Sequence, residues 1–465
     1  MAAQSENATL RREGYGPTSP VVGQRGARTR QRIVEETLRL FESQGFHATS
    51  VDSIAKAAGT SRSTLYQYFE SKEQIFVELL EECGSALMRV VRRIGPLGPT
   101  RLGFDNLHWW LGEWAYVYDK YATMFMQWAS VDTPGTSVRP LVTGFSRSYN
   151  ARIAGRLESC EITGLDPVDA AVTMTSVVHR FNYFRHMGLV PHRLSSDQLL
   201  DSLAVFIQLV LFPDTPLEVF DLVEPPAPPH GRPAARAVSA GTGSASTGSA
   251  STGADRAAGQ IPDRLAGLRP RAAVTVRQLI DAGARLFADR GYHGTGVDDV
   301  VAQAGFARGT FYKYFDEKLD LLLQLTRECA DDMQALVSGF ARIDPASPGG
   351  PAQLRDWMAG YLPFHARYLG VMRAWLEGTS RDPRLLAVVR ESTRDMHLAA
   401  LQVLGRVSRP HPLDPDVAAV IQGALLERMP EEVLQQDPDR PAADTVELIA
   451  AVMERGLFNT GPLTP

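Results

Sequence analysis

Cysteine is scarce. Three residues among 465 cannot frame a disulfide-stapled secreted domain, and no Cys-x-x-Cys or Cys/His cluster marks a zinc site. Long apolar runs are also missing: the longest, Leu203 to Phe212, is interrupted by Gln208 and is too short to cross a bilayer. Met1 to Gly26 is polar, rich in Arg and Gly, and has no apolar stretch of the kind a secretion signal carries. The expected location is the cytoplasm, with no membrane partner. The chain contains no Gly-rich phosphate loop after a strand, no His-Glu-x-x-His and no Gly-x-Ser-x-Gly elbow. No enzyme, cofactor or metal centre is therefore expected, and a helical enzyme stands only as the remote alternative. Nor is there a positive excess, since 48 Lys and Arg against 53 Asp and Glu leave a net charge of −5. That balance excludes little, because nucleic-acid binding needs a local basic surface and net charge averages over the whole chain.

What is present is a unit written twice. Between Pro225 and Asp263 the chain is rich in Pro, Gly, Ser and Ala and nearly repeats the tract GSASTG; such a composition buries no core and reads as a flexible tether. The flanking segments align with each other at a shift of 246 residues without a gap: Gly45 with Gly291, Thr49 with Thr295, Gly59 with Gly305, Arg62 with Arg308, Tyr66 with Tyr312 and Lys72 with Lys318. Fainter matches continue to the end of each half with slips of one or two residues: Cys83 with Cys329 at the same shift, Trp128 with Trp375 one residue later, Arg180 with Arg428 at 248, and Leu211-Phe212 with Leu457-Phe458 back at 246. The expected domains are a leader at 1–24, paired units at 25–76 and 77–224, the tether at 225–263, and paired units at 264–322 and 323–465.

Each half opens with a helix-turn-helix pattern. Ile33, Val34, Thr37, Leu38 and Phe41 fall at helical spacing until Gly45, and Val274 to Arg290 repeats this before Gly291. Thr49 with Asp52, and Thr295 with Asp298, have the spacing of a capping box for a short second helix that ends at Gly59 or Gly305. A third helix beginning near Ser61 or Ala307 carries small and polar groups where a major groove would be read. Val51, Ile54, Leu65 and Phe69 are expected in the core.

Thr64-Leu-Tyr-Gln-Tyr-Phe-Glu-Ser-Lys72 and Thr310-Phe-Tyr-Lys-Tyr-Phe-Asp-Glu-Lys318 resemble the signature of the TetR family, Thr-Leu-Tyr-x-Tyr-Phe-x-x-Lys. The strong match covers about 50 residues in each half. The resemblance implies an all-α chain of two TetR-like modules, each a DNA-binding helix-turn-helix followed by a helical domain for effector binding and dimerisation. It further implies a regulator, more specifically a repressor, whose partners are a double-stranded DNA operator and a small apolar or amphipathic effector. Tyr66 and Tyr312 would donate to phosphate, joined by Lys72 and Lys318 at the start of helix four. Arg62 and Arg308 suit guanine, and Thr64 and Thr310 a thymine methyl or a phosphate. Thr49 and Thr295 complete the implied DNA set. Arg25, Arg28, Arg30 and Arg32, with Arg264, Arg269, Arg271 and Arg277, lie before or within the first helix, where they either reach phosphates or are simply solvated. Thr60, Ser61, Ser63 and Gln67 in one copy face Phe306, Ala307, Gly309 and Lys313 in the other, so the two half-sites are expected to differ.

The helical remainders are rich in aromatics. Trp114, Tyr121, Phe125 and Trp128, and Trp357, Tyr361, Tyr368 and Trp375, are candidates for a ligand cavity, with core packing the competing reading. His179, Arg180, Phe184, Arg185 and His186 on one late helix face Glu427, Arg428, Glu431 and Glu432 on its counterpart, as ligand-fixing groups or as ion pairs. The segments Asp166 to Gly188 and Leu199 to Phe212, with Val417 to Met429 and Val446 to Phe458, resemble the closing helices that pair in family dimers. A tether of about 38 residues spans roughly 35 Å, enough for that pairing to close within one chain as a pseudo-dimer. A further homo-oligomer, or a second module that serves only for dimerisation, is the alternative.

Overall fold

The computed structural model describes residues 24–131, 138–224, 257–376 and 382–458, and every regular element among them is helical. The first module comprises α1 (Gln24–Ala48), α2 (Val51–Ala57), α3 (Arg62–Tyr66), α4 (Lys72–Arg92), α5 (Arg101–Lys120), α6 (Ala122–Val131), α7 (Arg139–Leu157), α8 (Pro167–His186) and α9 (Ser196–Leu211). The second comprises α10 (Pro270–Arg290), α11 (Val297–Ala304), α12 (Arg308–Tyr312), α13 (Lys318–Phe340), α14 (Gly350–Leu376), α15 (Pro383–Leu404), α16 (Pro415–Gln436) and α17 (Ala442–Met453), closed by a π-turn at Glu454–Phe458. One difference from the expected symmetry matters below. The first module breaks at Tyr121 into α5 and α6, whereas α14 continues as one helix through Pro363. None of the described helices is long and apolar enough to cross a membrane.

The two helix-turn-helix units are built alike. Gly45 (φ 82°) and Gly291 (φ 70°) turn the chain out of the first helix through backbone conformations that side chains disfavour. Phe41, Ile54, Leu65, Phe69 and Phe76 close one small core, and Phe287, Val300, Phe311, Phe315 and Leu322 the other. The caps fall one residue later than the sequence pattern indicates. Ser50 caps α2 in a reciprocal box with Ser53, and Gly296 precedes α11 with its N–H donating to Asp299 at 2.7 Å. Thr49 and Thr295 are buried instead, donating their hydroxyls to Gly45 O and Gly291 O at 2.8 Å each. A threonine facing the core satisfies its hydroxyl on the nearest open carbonyl, leaving the cap to the next residue.

The closing helices of the two modules pack against each other within the chain, α8 on α16 and α9 on α16 and the C-terminal π-turn. Ion pairs at this seam join unlike partners. Arg180 meets Glu427 at 3.1 Å, Arg440 forks onto Asp169 at 2.6 and 2.9 Å, and Arg193 reaches Asp414 and Asp416 at 2.7 Å each. A Cβ at Gly456 would stand 2.4 Å from the Phe206 ring, so the π-turn lies directly against α9. The expected tether falls outside the described residues from 225 to 256, as does the leader up to residue 23. The chain is packed again from Ala257, before the expected module start at 264. Ala257, Ala258 and Ile261 are buried, and Arg327 donates to Ile261 O at 2.7 Å.

Candidate DNA interface and ligand cleft

Each third helix presents the same small constellation to solvent. The Arg62 guanidinium donates to Asp52 and to the Tyr66 hydroxyl, both at 3.2 Å, and lies 5.5 Å from the centre of the Tyr66 ring. Arg308 repeats this with Asp298 at 2.8 Å, Tyr312 at 3.4 Å and a ring distance of 5.7 Å. An exposed ion pair is worth little in water, so such an arginine is oriented at small cost and can exchange its carboxylate for a base edge. Around it, Ser61, Ser63, Tyr66 and Gln67 are exposed in the first unit, and Gly309, Tyr312 and Lys313 in the second. Thr64 and Thr310 are half-buried beside them. Ser61 also caps α3, accepting from Thr64 N at 3.0 Å, whereas Ala307 supplies no side-chain cap to α12.

Several expected DNA contacts are placed elsewhere. Lys72 and Lys318 turn inward: the Lys72 ammonium donates to Phe46 O at 2.7 Å and Thr49 O at 2.9 Å, and Lys318 to Tyr292 O at 2.6 Å and Thr295 O at 2.7 Å. Loss of water lowers both ammonium pKa values. Each lysine thus closes the turn after the first helix, because loop carbonyls, three at Lys72 and two at Lys318, converge where its stem emerges from the start of helix four. Thr49 and Thr295 are buried, as described above. Arg30 is also buried, pairing with Glu78 and lying 4.8 Å from the Phe69 ring, so it ties α1 to α4. Arg264 pairs with Asp320 at 3.1 Å and Arg277 with Glu328 at 2.8 Å. Arg28, Arg32, Arg269 and Arg271 remain exposed, while the side chain of Arg25 lies outside the described residues.

The two units meet at equivalent residues. His47 and His293 stack with ring centres 4.5 Å apart and planes 23° from parallel, so the pseudo-two-fold passes between them. Desolvation at the stack, then His47, Lys318 and Lys72, push His293 down to about 4.

Behind the first unit lies a narrow cleft with about 50 Å³ open to water-sized molecules. Leu87, Trp114, Phe125, Phe145 and Tyr149 form its apolar walls, and Ser146, Asn150, Thr175, Ser176 and His179 its polar patches; Arg428 and Glu432 enter from the second module. Trp114 donates to the Tyr149 hydroxyl at 3.0 Å, and Phe125 stacks on Tyr118 at 4.5 Å. Burial, then Arg428 and Arg180, hold the His179 imidazole well below its ordinary pKa.

Of the expected ligand residues, the cleft gathers Trp114, Phe125, His179 and Arg428. Tyr121 donates to Glu82 at 2.9 Å, Arg180 is committed to Glu427 across the seam, and Phe184 lies over Gly423. The side chain of Trp128 lies outside the described residues. Arg185 is paired with Asp119 at 2.6 Å. The contribution of α7 went unread from the sequence, because its apolar and polar residues show little helical sidedness and the wall it provides is defined only by its neighbours.

The corresponding interior of the second module is tied together by hydrogen bonds. Tyr361 donates to Leu426 O and His365 meets Glu427 O, both at 3.0 Å, while Trp357 donates to Leu336 O at 2.8 Å. Tyr368 donates to Asp332 at 2.6 Å and Trp375 to Thr326 at 3.1 Å, so these five aromatic and imidazole groups serve the core. Arg373 and Arg428 both pair with Glu431, and Arg428 also with Glu432. Burial opposes ionisation of Glu431, but the two arginines overcome it and hold its carboxyl down to about 2.

The profile of bacterial regulatory proteins, tetR family, matches residues 33–79 and 279–325. Two segments of the chain, one in each half, thus match the DNA-binding unit of the TetR family. Among curated relatives, the HTH-type transcriptional regulator AcrR of Shigella flexneri is 45% identical over 58 residues, 12% of this chain and 27% of that protein. The HTH-type transcriptional activator FasR of Mycolicibacterium smegmatis is 27% identical over 132 residues, 28% of this chain and 59% of that protein. The negative transcriptional regulator IcaR of the biofilm operon in Staphylococcus aureus is 24% identical over 99 residues, 21% and 52%. The matches thus span from about a quarter to three fifths of these relatives' lengths. A TetR-like transcriptional regulator from a Rhodococcus species aligns with 41% of this chain and 98% of its own at 21% identity and a TM-score of 0.31.

Proposed function

We propose that the chain is a ligand-released transcriptional repressor that binds an asymmetric operator through both of its helix-turn-helix units. The observation that carries this reading is the repeated Arg–Tyr–Asp constellation at Arg62 and Arg308, set among unlike neighbours in two units joined by one intramolecular seam. In this reading Arg62 and Arg308 take guanines, and Tyr66 and Tyr312 donate to phosphates. Ser61, Ser63, Thr64 and Gln67 read one half-site; Gly309, Thr310 and Lys313 read the other. Arg28 and Arg271 approach the backbone from the first helices. The effector is a small aromatic or amphipathic molecule held in the Trp114–Phe125–His179 cleft, and the protein works in the cytoplasm beside the chromosome.

Selection of binding sites from a random DNA pool with the full chain tests the operator. Two unlike half-sites are expected. Since a mismatched base pair costs about 1–3 kcal/mol, a palindrome built from either half should bind more weakly, and equal affinity for such a palindrome overturns the asymmetric reading. The reading in which the second module is only a dimerisation partner is disfavoured by the exposed Arg308, Tyr312 and Lys313.

A further inference from the structure

The cleft in the first module is physically continuous with both DNA-binding units, by two unlike routes. On the near side Phe125, a wall of the cleft, and Gln127 share α6, and the Gln127 carboxamide accepts the Phe46 N–H at 2.8 Å. Phe46 lies in the last turn of α1, just past the kink at Gly45, in the bend that Lys72 closes. On the far side Arg428 and Glu432 line the same cleft, and Arg428 Nη1 donates to Glu431 Oε2 at 3.2 Å. Glu431 in turn pairs with Arg373, whose other nitrogen donates to Ala288 O at 3.3 Å near the end of α10. One turn earlier on α14, a Cβ at Gly370 would stand 2.2 Å from the Phe287 carbonyl carbon, so this helix rides directly on the backbone of the second unit's first helix. Arg428, Glu431 and Arg373 are all buried. Dry, paired charges keep a fixed geometry, because any one leaving strands the others in low dielectric.

The asymmetry has an identifiable origin. At the seam Arg180 of the first module pairs with Glu427, but the position equivalent to Glu427 in the first module holds His179. Arg428 pairs instead with Glu431 and Glu432 on its own helix, and the cleft opens at that place.

We propose that this one cleft controls both heads of the chain: a molecule entering it acts on the first unit through Gln127 and on the second through the Arg428–Glu431–Arg373 chain. The proposal rests on the effector reading of the cleft given above. Its content is a coupling across the seam, so that one bound molecule per chain releases two unlike half-sites.

Amide hydrogen exchange of the full chain tests it without knowledge of the natural effector. Ser146→Trp fills the cleft from its mouth, and anilinonaphthalene sulfonate serves as an added aromatic probe. With either, exchange is expected to change by roughly fivefold, the equivalent of one hydrogen bond, in peptides covering 44–50 and 286–296 alike. Gln127→Leu should abolish the response at 44–50 only, and Arg373→Met the response at 286–296 only. Should Arg373→Met fail to fold because Glu431 is left buried with less compensation, Arg373→Met with Glu431→Leu removes both charges and takes its place. A response confined to 44–50 in the wild-type sequence, or a response at 286–296 that survives loss of Arg373, overturns the coupling. Failure of the effector reading shows separately: probe binding that Ser146→Trp leaves unchanged removes the cleft as a ligand site, while the exchange response to Ser146→Trp still decides the coupling.

Discussion

At the residue scale, the same side-chain types separate into surface and clasp according to what surrounds them. Arg62 and Arg308 are held only by exposed partners, so replacing either with Ala should leave folding nearly unchanged. Each loss should cost about 1–3 kcal/mol of specific binding and relax selectivity at one base of its own half-site, as measured by fluorescence anisotropy on single-base operator variants. Loss at both half-sites from one substitution would contradict independent reading by the two arginines. Lys72, by contrast, is bound to loop carbonyls. Lys72→Met should therefore lower thermal stability while leaving the dependence of DNA affinity on salt unchanged. A slope reduced by about one would return Lys72 to the phosphate backbone. The signature motif was legible at both positions, but it could not say that one repeated spacing delivers a surface arginine and an internal lysine. That depends on the turn after the first helix, which brings loop carbonyls within reach of the lysine stem.

At the element scale, the turns after the two first helices meet on the pseudo-two-fold through the stacked His47 and His293, and His293 also feels the charges of Lys318 and Lys72. His293 is held down to about 4 in the folded chain against an ordinary value near 6.5. Between those values the unfolded chain takes up a proton that the folded pair refuses, so the stability associated with the neutral pair is complete above the ordinary value and is lost as pH falls toward 4. His293→Asn should flatten this part of a urea-unfolding profile measured against pH, and an unchanged acid limb would show that the stack carries no such linkage. The helices themselves were largely readable from apolar spacing and glycine stops. The caps were not, since Thr49 and Ser50 are both competent and burial of Thr49 decides between them. The break at Tyr121 was likewise hidden. Trp114 and Phe125 share a sequence period, but they reach the cleft from two helices.

At the scale of the whole molecule, the seam between α8–α9 and α16 with the π-turn pairs arginines of one module with carboxylates of the other. Pairing two first modules would set Arg180 against His179, the counterpart of Glu427, and leave Asp169 without Arg440. Charge thus favours closure within the chain, and the tether adds an effective concentration on the order of millimolar. Light scattering should give the mass of one chain, 50.9 kDa. If a protease site is placed between residues 225 and 256 and cut, the halves should still elute together at micromolar concentration. Separation on cutting would mean that the tether rather than the seam holds the modules together, and twice the mass before cutting would favour a two-chain assembly.

The sequence by itself determined the duplication, the helical class and the two helix-turn-helix units with their TetR-like motif, because these rest on local periodicity, glycine positions and a repeated motif. Only the tertiary structure decided which cations face solvent, which aromatics wall a cleft, and that Arg428 and Glu432 complete a cleft belonging to the other module. Those properties depend on burial and on contacts between residues hundreds of positions apart, where a single exchange such as His179 for the counterpart of Glu427 redirects an ion pair and breaks the symmetry of the seam.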